Sequence, residues 1–86
     1  MSIKPAPRTV EPLVEAFATV LRRRRLAQDL SQEALARRAG VSMRVVSLLE
    51  GGRHMPTINT MQKLAKGLGV PLSDLVREAE AEPAQE

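Results

Sequence analysis

Two stretches of helical periodicity meet across the dipeptide Gly40-Val41, and this junction constrains the chain more than any other part of it. Upstream, Ser31 is a favourable N-cap and Glu33 places a negative charge in the first turn, where the helix dipole favours it. Leu35 and Ala39 share the inner face of that helix, and Gly40 stands at the position past its end that tolerates positive φ. Downstream, Ser42 caps a second helix in which Val46 and Leu49 face inward, Val45 partly so, and Gly51-Gly52 stops it. The spacing predicts two short helices joined by a turn of almost no length.

The flanking sequence predicts more helices. Pro12 suits a first helical turn, where its missing N–H costs nothing. Leu13, Ala16, Phe17, Val20, Leu21 and Arg24 then follow i, i+3, i+4, i+7, i+8, i+11 spacing, which predicts a helix over about 12–28. Pro56-Thr57 opens a further helix in which Ile58, Met61, Leu64, Ala65 and Leu68 are helically spaced, with Gly67 and Gly69 closing it. Leu72, Leu75 and Val76 predict a short last helix to about Glu78. No stretch alternates as a strand does. The fold class expected is all-α, with five short helices. Residues 1–11, with Pro5 and Pro7, read as an extended flexible arm, 12–78 as the folded domain, and 79–86 as a disordered acidic tail.

Composition narrows the function classes. The 86 residues suit one small domain. With a single aromatic, Phe17, the core has to be built from aliphatic side chains. There is no cysteine, so a disulfide scaffold and a thiolate metal site are excluded, and one histidine, His54, makes no zinc site alone. No metal or other cofactor is expected. Neither a signal peptide nor a membrane helix is apparent, which points to the cytoplasm, at the bacterial nucleoid. An enzyme is not expected, because paired catalytic carboxylates and a Gly-rich phosphate loop are both absent. Net charge is +3, but residues 1–77 carry +7, with the remaining acids crowded into the last nine positions. A basic body with an acidic tail fits a polyanionic partner.

Residues 31–50 meet the demands of a helix-turn-helix. Two closely crossing helices need a small residue, which Ala36 supplies. The turn needs positive φ, which Gly40 supplies. The second helix needs anchoring from behind, by Val46 and Leu49, and a free outer face, left by Ser42, Met43, Arg44, Ser47 and Leu48. Met43 and Leu48 remain open to two readings, contact with bases, or burial against a partner subunit or in the core.

The chain resembles the phage-repressor and Cro-like (XRE) helix-turn-helix family. The resemblance rests on Leu30-Ser31-Gln32-Glu33 with Leu35-Ala36, on Gly40-Val41-Ser42, and on Val46-Ser47 with Leu49-Glu50 and Gly52-Arg53. Pro56-Thr57, Leu64-Ala65, Leu68-Gly69-Val70 and Leu75 extend it, so that it runs from about Phe17 to Val76. It implies a lambda-repressor-like DNA-binding domain with the helix at 42–50 in the major groove. By the same resemblance Gln32 contacts the DNA backbone and braces that helix. Met43, Arg44 and Leu48 reach base edges, Ser42 and Ser47 meet phosphate or bases, and Arg53 and the Gly52 amide meet phosphate. Arg25 and Glu50 match a buried ion pair tying the first helix to the recognition helix. One departure is Asp29, where the family usually has glycine, so a different turn between the first and second helices is expected. The function implied is a transcriptional regulator acting as a homodimer on a pseudo-palindromic operator in double-stranded DNA. The alternative is an antitoxin or a restriction-modification controller whose main partner is another protein.

The run Arg22-Arg23-Arg24-Arg25 cannot form one phosphate clamp, since successive helical residues point about 100° apart. Arg25 is expected to be paired, Arg24 partly packed, and Arg22 and Arg23 solvated. Arg37 and Arg38 read as a solvated face, and His54 as an exposed loop residue.

Overall fold

The computed structural model describes residues 12–83, and the arm at 1–11 lies outside the described residues. Among the described residues five helices follow one another and there is no strand: α1 Pro12–Ala27, α2 Gln32–Ala39, α3 Met43–Glu50, α4 Ile58–Leu68 and α5 Leu72–Ala81. Side-chain caps start the three middle ones. Ser31, Ser42 and Thr57 each hold an extended backbone and accept from the amide three residues on, at Ala34, Val45 and Thr60. Each cap satisfies a donor that the first helical turn leaves unpaired.

Three of the helices end alike. After α1, α2 and α4 a residue turns left-handed, at Asp29, Gly40 and Gly69, and the amide of the next residue reaches back to the carbonyl five positions earlier. These bonds run from Leu30 to Arg25, Val41 to Ala36 and Val70 to Ala65, at 3.0 to 3.1 Å. This is the Schellman arrangement, which also asks for an apolar residue just past the turn. Leu30, Val41 and Val70 fill that role and pack against the core. At Gly40 nothing crowds the position of a Cβ, so glycine is required there by its φ of +73° alone. Asp29 adopts φ +57° without being glycine. Asp and Asn tolerate this region better than other side chains, so the turn forms in spite of the departure noted above.

The core is aliphatic, built from Val20 and Leu21 of α1, Leu35 of α2, Val46 and Leu49 of α3, Leu64 of α4 and Leu75 of α5, with Phe17 beside them. α2 packs chiefly on α4, and α1 on α5. Gly67 is the point of closest approach. A Cβ there would lie 3.1 Å from the Ala39 backbone nitrogen and 3.2 Å from its Cα. Gly67 therefore lies inside α4 as a packing residue and does not close the helix, which ends at Gly69.

Two further expectations are corrected. Leu13 and Ile58 share the helical spacing of core residues, yet they are largely exposed, because each sits at the first turn of its helix beyond the edge of the packed layer. The last helix extends past Glu78 to Ala81, so residues 79–81 are not a disordered tail. Ala79 is buried, and Glu82 pairs with Arg23 of α1 at 2.8 Å. The polar run of this segment conceals one inward-facing alanine, Ala79, and one carboxylate, Glu82, aimed at an α1 arginine.

Candidate nucleic-acid interface

The site is built on α3, an eight-residue helix with one side in the core. Val46 and Leu49 are buried, and the opposite side presents Met43, Arg44, Ser47 and Leu48, all exposed, with Ser42 at its start and Arg53 just beyond its end. Spacing alone produces this division, because residues three and four apart share a helical face. The cap fixes where the face begins. The Ser42 hydroxyl accepts from the Val45 amide at 3.1 Å and keeps its own proton to donate outward.

Behind α3 a polar network sets its position against α1 and α2. Arg25 meets Glu50 in a two-point fork, Nε to Oε2 at 2.6 Å and Nη2 to Oε1 at 2.9 Å. Its third nitrogen donates to the Leu30 carbonyl at 2.7 Å. Gln32 donates from Nε2 to Glu50 Oε1 at 3.0 Å. Only 10% of the Arg25 side chain and 4% of the Glu50 side chain remain accessible, so the pair is close to fully desolvated. Hydrogen bonding to Glu50 holds the Arg25 guanidinium above its usual pKa, against the opposing effect of burial. No buried side-chain nitrogen or oxygen among the described residues lacks a partner. The network is thus complete, which is the condition for a buried polar cluster to rigidify its surroundings.

Of the side chains singled out in the sequence, the structure brings Ser42, Met43, Arg44, Ser47, Leu48 and Arg53 to the outside around α3. Gln32 stands at the start of α2 beside them, its amide nitrogen held by Glu50. Gly52 departs from the reading given to it. It is buried, its amide donates to the Leu49 carbonyl at 3.1 Å, and its φ of +77° makes it a turn residue packed near Ala18 and Glu15. Its amide faces the protein and is removed from the contact set.

The arginine run distributes as its 100° steps require. Arg25 enters the core network. Arg24 pairs with Glu78 and Arg23 with Glu82, both on the side facing α5. Hydrogen bonding to Arg24 lowers the Glu78 pKa, and desolvation opposes it. Arg23 is therefore not merely solvated. The two carboxylates pair with two of the α1 arginines, whereas Arg44 and Arg53, like Arg22 on α1, make no ion pair among the described residues. Sequence reasoning missed the Glu78 and Glu82 contacts, and also Gln28, whose Nε2 donates to the Leu68 carbonyl at 2.7 Å and ties the end of α1 to the end of α4. A carboxylate at i and i+4 on a last helix, with an apolar residue between them, was the available signal for the first two.

An open apolar groove of about 320 Å³ shares no lining residue with this face and is lined by Leu13, Phe17, Met55, Pro56, Met61 and Val76 among others. No cluster of His, Asp and Glu among the described residues could hold a metal ion. No helix is long and apolar enough to cross a membrane, again among the described residues.

Two short capped helices around a left-handed glycine, with the second helix locked from behind and bare in front, define a helix-turn-helix domain. A family model described as Helix-turn-helix (HTH_3) matches residues 21–75, and the chain belongs to that family. Among curated proteins it is similar to the cryptic phage CTXphi transcriptional repressor RstR of Vibrio cholerae. The two are 38% identical over 64 residues, which is 74% of this chain and 58% of RstR. The chain thus matches little more than half the length of that relative. Among solved structures it is similar to the restriction-modification controller protein C.AhdI from Aeromonas hydrophila, with TM-score 0.70 and 32% identity over 72% of this chain and 94% of that one. It is also similar to the clp gene regulator ClgR from C. glutamicum, with TM-score 0.76 and 26% identity over 96% of this chain and all of that one.

Proposed function

We propose that this protein is a sequence-specific DNA-binding transcriptional regulator that places α3 in the major groove. The observation that carries the reading is the asymmetry of α3. Its back is fixed by a complete buried network, and its front offers Ser42, Met43, Arg44, Ser47 and Leu48, with Arg53 beside it. Exposed cations without carboxylate partners suit a polyanion, and Arg44 has the bidentate geometry that guanine O6 and N7 accept. In this reading Arg53, Ser42 and Gln32 meet phosphates and set the register, while Arg44, Met43, Leu48 and Ser47 face base edges. The relatives and neighbours are named as a repressor, a controller and a gene regulator, which supports the same class.

The protein acts as a homodimer on a pseudo-palindromic site, its two reading helices about 34–36 Å apart. The apolar groove beside the exposed side chains of Leu13 and Met55 is a surface that a second copy could cover, which supports this reading. Its place of action is the cytoplasm, at the nucleoid. A restriction-modification controller is a narrower form of the same reading, favoured by the likeness to C.AhdI over nearly all of that chain.

Selection from a random duplex pool tests the proposal. A two-fold symmetric consensus is expected, and Arg44→Ala is expected to lose its guanine positions. Failure of the wild-type protein to enrich any sequence would contradict the reading.

A further inference from the structure

The reading face of α3 is unusual in what it lacks. Apart from Arg44 and the two serines, its exposed side chains are Met43 and Leu48, 52% and 41% accessible. Neither belongs to the core, which takes Val46 and Leu49 from the other side of the helix. The face carries no Asn or Gln to pair with the adenine edge and no Asp or Glu to accept from cytosine N4. The nearest amide, Gln32, has its nitrogen engaged by Glu50. The direct hydrogen-bond code open to α3 is therefore Arg44 to guanine, with short-range donation from the serine hydroxyls.

An apolar side chain in the major groove finds one apolar group of its own kind, the methyl on C5 of a pyrimidine. Met43 and Leu48 stand five positions apart, about 140° around the helix, so they occupy the two margins of the exposed face with Arg44 and Ser47 between them. Arg44 lies between them in sequence. Resting on the proposal that α3 faces DNA, we infer that Met43 and Leu48 are specificity residues that read C5-methyl groups, and that 5-methylcytosine satisfies them as thymine does. A thioether and an isobutyl group carry no strong donor or acceptor, so they do not distinguish thymine O4 from the cytosine N4 amine beside the same methyl. The protein's affinity for a site with cytosine at these positions thus rises when that cytosine is methylated, which makes methylation state a regulatory input.

The test uses the whole chain and the duplex recovered by selection. Each thymine is replaced singly by deoxyuridine, which removes the methyl and nothing else. Loss of about fourfold in affinity per contacted methyl is expected, the worth of one buried methylene-sized group. Placing 5-methylcytosine or cytosine at the same positions should give about fourfold tighter binding for the methylated base. The double variant Met43→Ser with Leu48→Ser, its fold checked by thermal melting, should bind thymine and deoxyuridine duplexes alike, while Arg44→Ala keeps the difference. Equal wild-type binding of thymine and deoxyuridine at every position, with Arg44→Ala still losing guanine preference, overturns the methyl reading and leaves the DNA reading standing. A dimer converted to monomer by the serine variant in sedimentation equilibrium also overturns it, by placing these side chains between subunits. If the wild-type protein enriches no duplex at all, both readings fall.

Discussion

Arg25 and Glu50 lie 25 residues apart in the chain and meet in a fork of 2.6 and 2.9 Å. Glu50 Oε1 serves both Arg25 and Gln32, so one oxygen joins α1, α2 and the last residue of α3. The pair sets the angle at which α3 is presented.

Breaking one side of this pair leaves a buried charge without a partner. Arg25→Ala or Glu50→Ala is expected to lower unfolding free energy by roughly 3–5 kcal/mol in urea denaturation. Arg25→Met combined with Glu50→Leu should recover most of that loss, because an apolar pair of similar volume no longer has ions to desolvate. The recovered protein should still bind DNA less well, because Gln32 has lost its acceptor. A double variant no more stable than either single one would contradict this account of the pair.

The α1–α5 contact has a pH signature. The Glu78 carboxyl is held below its ordinary value chiefly by its hydrogen bond to Arg24. A depressed carboxylate pKa contributes stability that is present above the unfolded-state value and lost as pH falls through the folded-state value. About a third of each side chain is accessible, so solvent screening keeps the contribution below about 1 kcal/mol. Thermal melts of wild type and Glu78→Gln should therefore differ near neutral pH and converge in acid below the normal carboxylate range. A gap that stays constant into strong acid would show that the pair does not act through its charge.

The α2–α4 crossing depends on the missing side chain at Gly67. Gly67→Val places branched carbons against the Ala39 backbone and is expected to cost about 1–3 kcal/mol by overpacking. The gain in helix propensity over glycine does not offset this, since the neighbour is main chain and cannot rotate away. Unchanged stability in urea would mean that the two helices separate freely.

Asp29 holds a left-handed conformation at φ +57°. Asp29→Gly is expected to raise stability by up to about 1 kcal/mol, the relief of left-handed strain less the extra freedom of glycine in the unfolded chain. A decrease in the urea midpoint would indicate that the carboxylate contributes a contact of its own.

The middle of the fold was legible because its signals are local. Ser31, Gly40, Ser42 and Gly69 each act on the backbone within five residues, and the apolar spacing of Leu35, Val46, Leu49 and Leu64 states which side turns inward. Asp29 was less legible, because a non-glycine left-handed residue is identified by the bonds around it and not by its side chain. Ile58 and Leu13 misled because helical spacing does not say where a helix overruns the core. The end of α5 was missed for a long-range reason. The i, i+4 spacing of Glu78 and Glu82 around Ala79 marks a helical face, but only α1 lying against that face gives it partners. At the candidate site, the exposed face of α3 followed from periodicity, whereas the inward turn of Gly52 depends on how the chain leaves that helix.

The most direct test of a groove-reading α3 is a comparison of Arg44→Ala with Arg53→Ala on the selected duplex and on scrambled DNA, each titrated across a range of salt. Arg44→Ala should cost about 1–3 kcal/mol on the selected duplex, with little change on scrambled DNA. Arg53→Ala should weaken both duplexes alike and lower the salt slope by about one. If Arg44→Ala leaves the preference for the selected duplex intact, Arg44 does not read a base edge and the account of the α3 face fails.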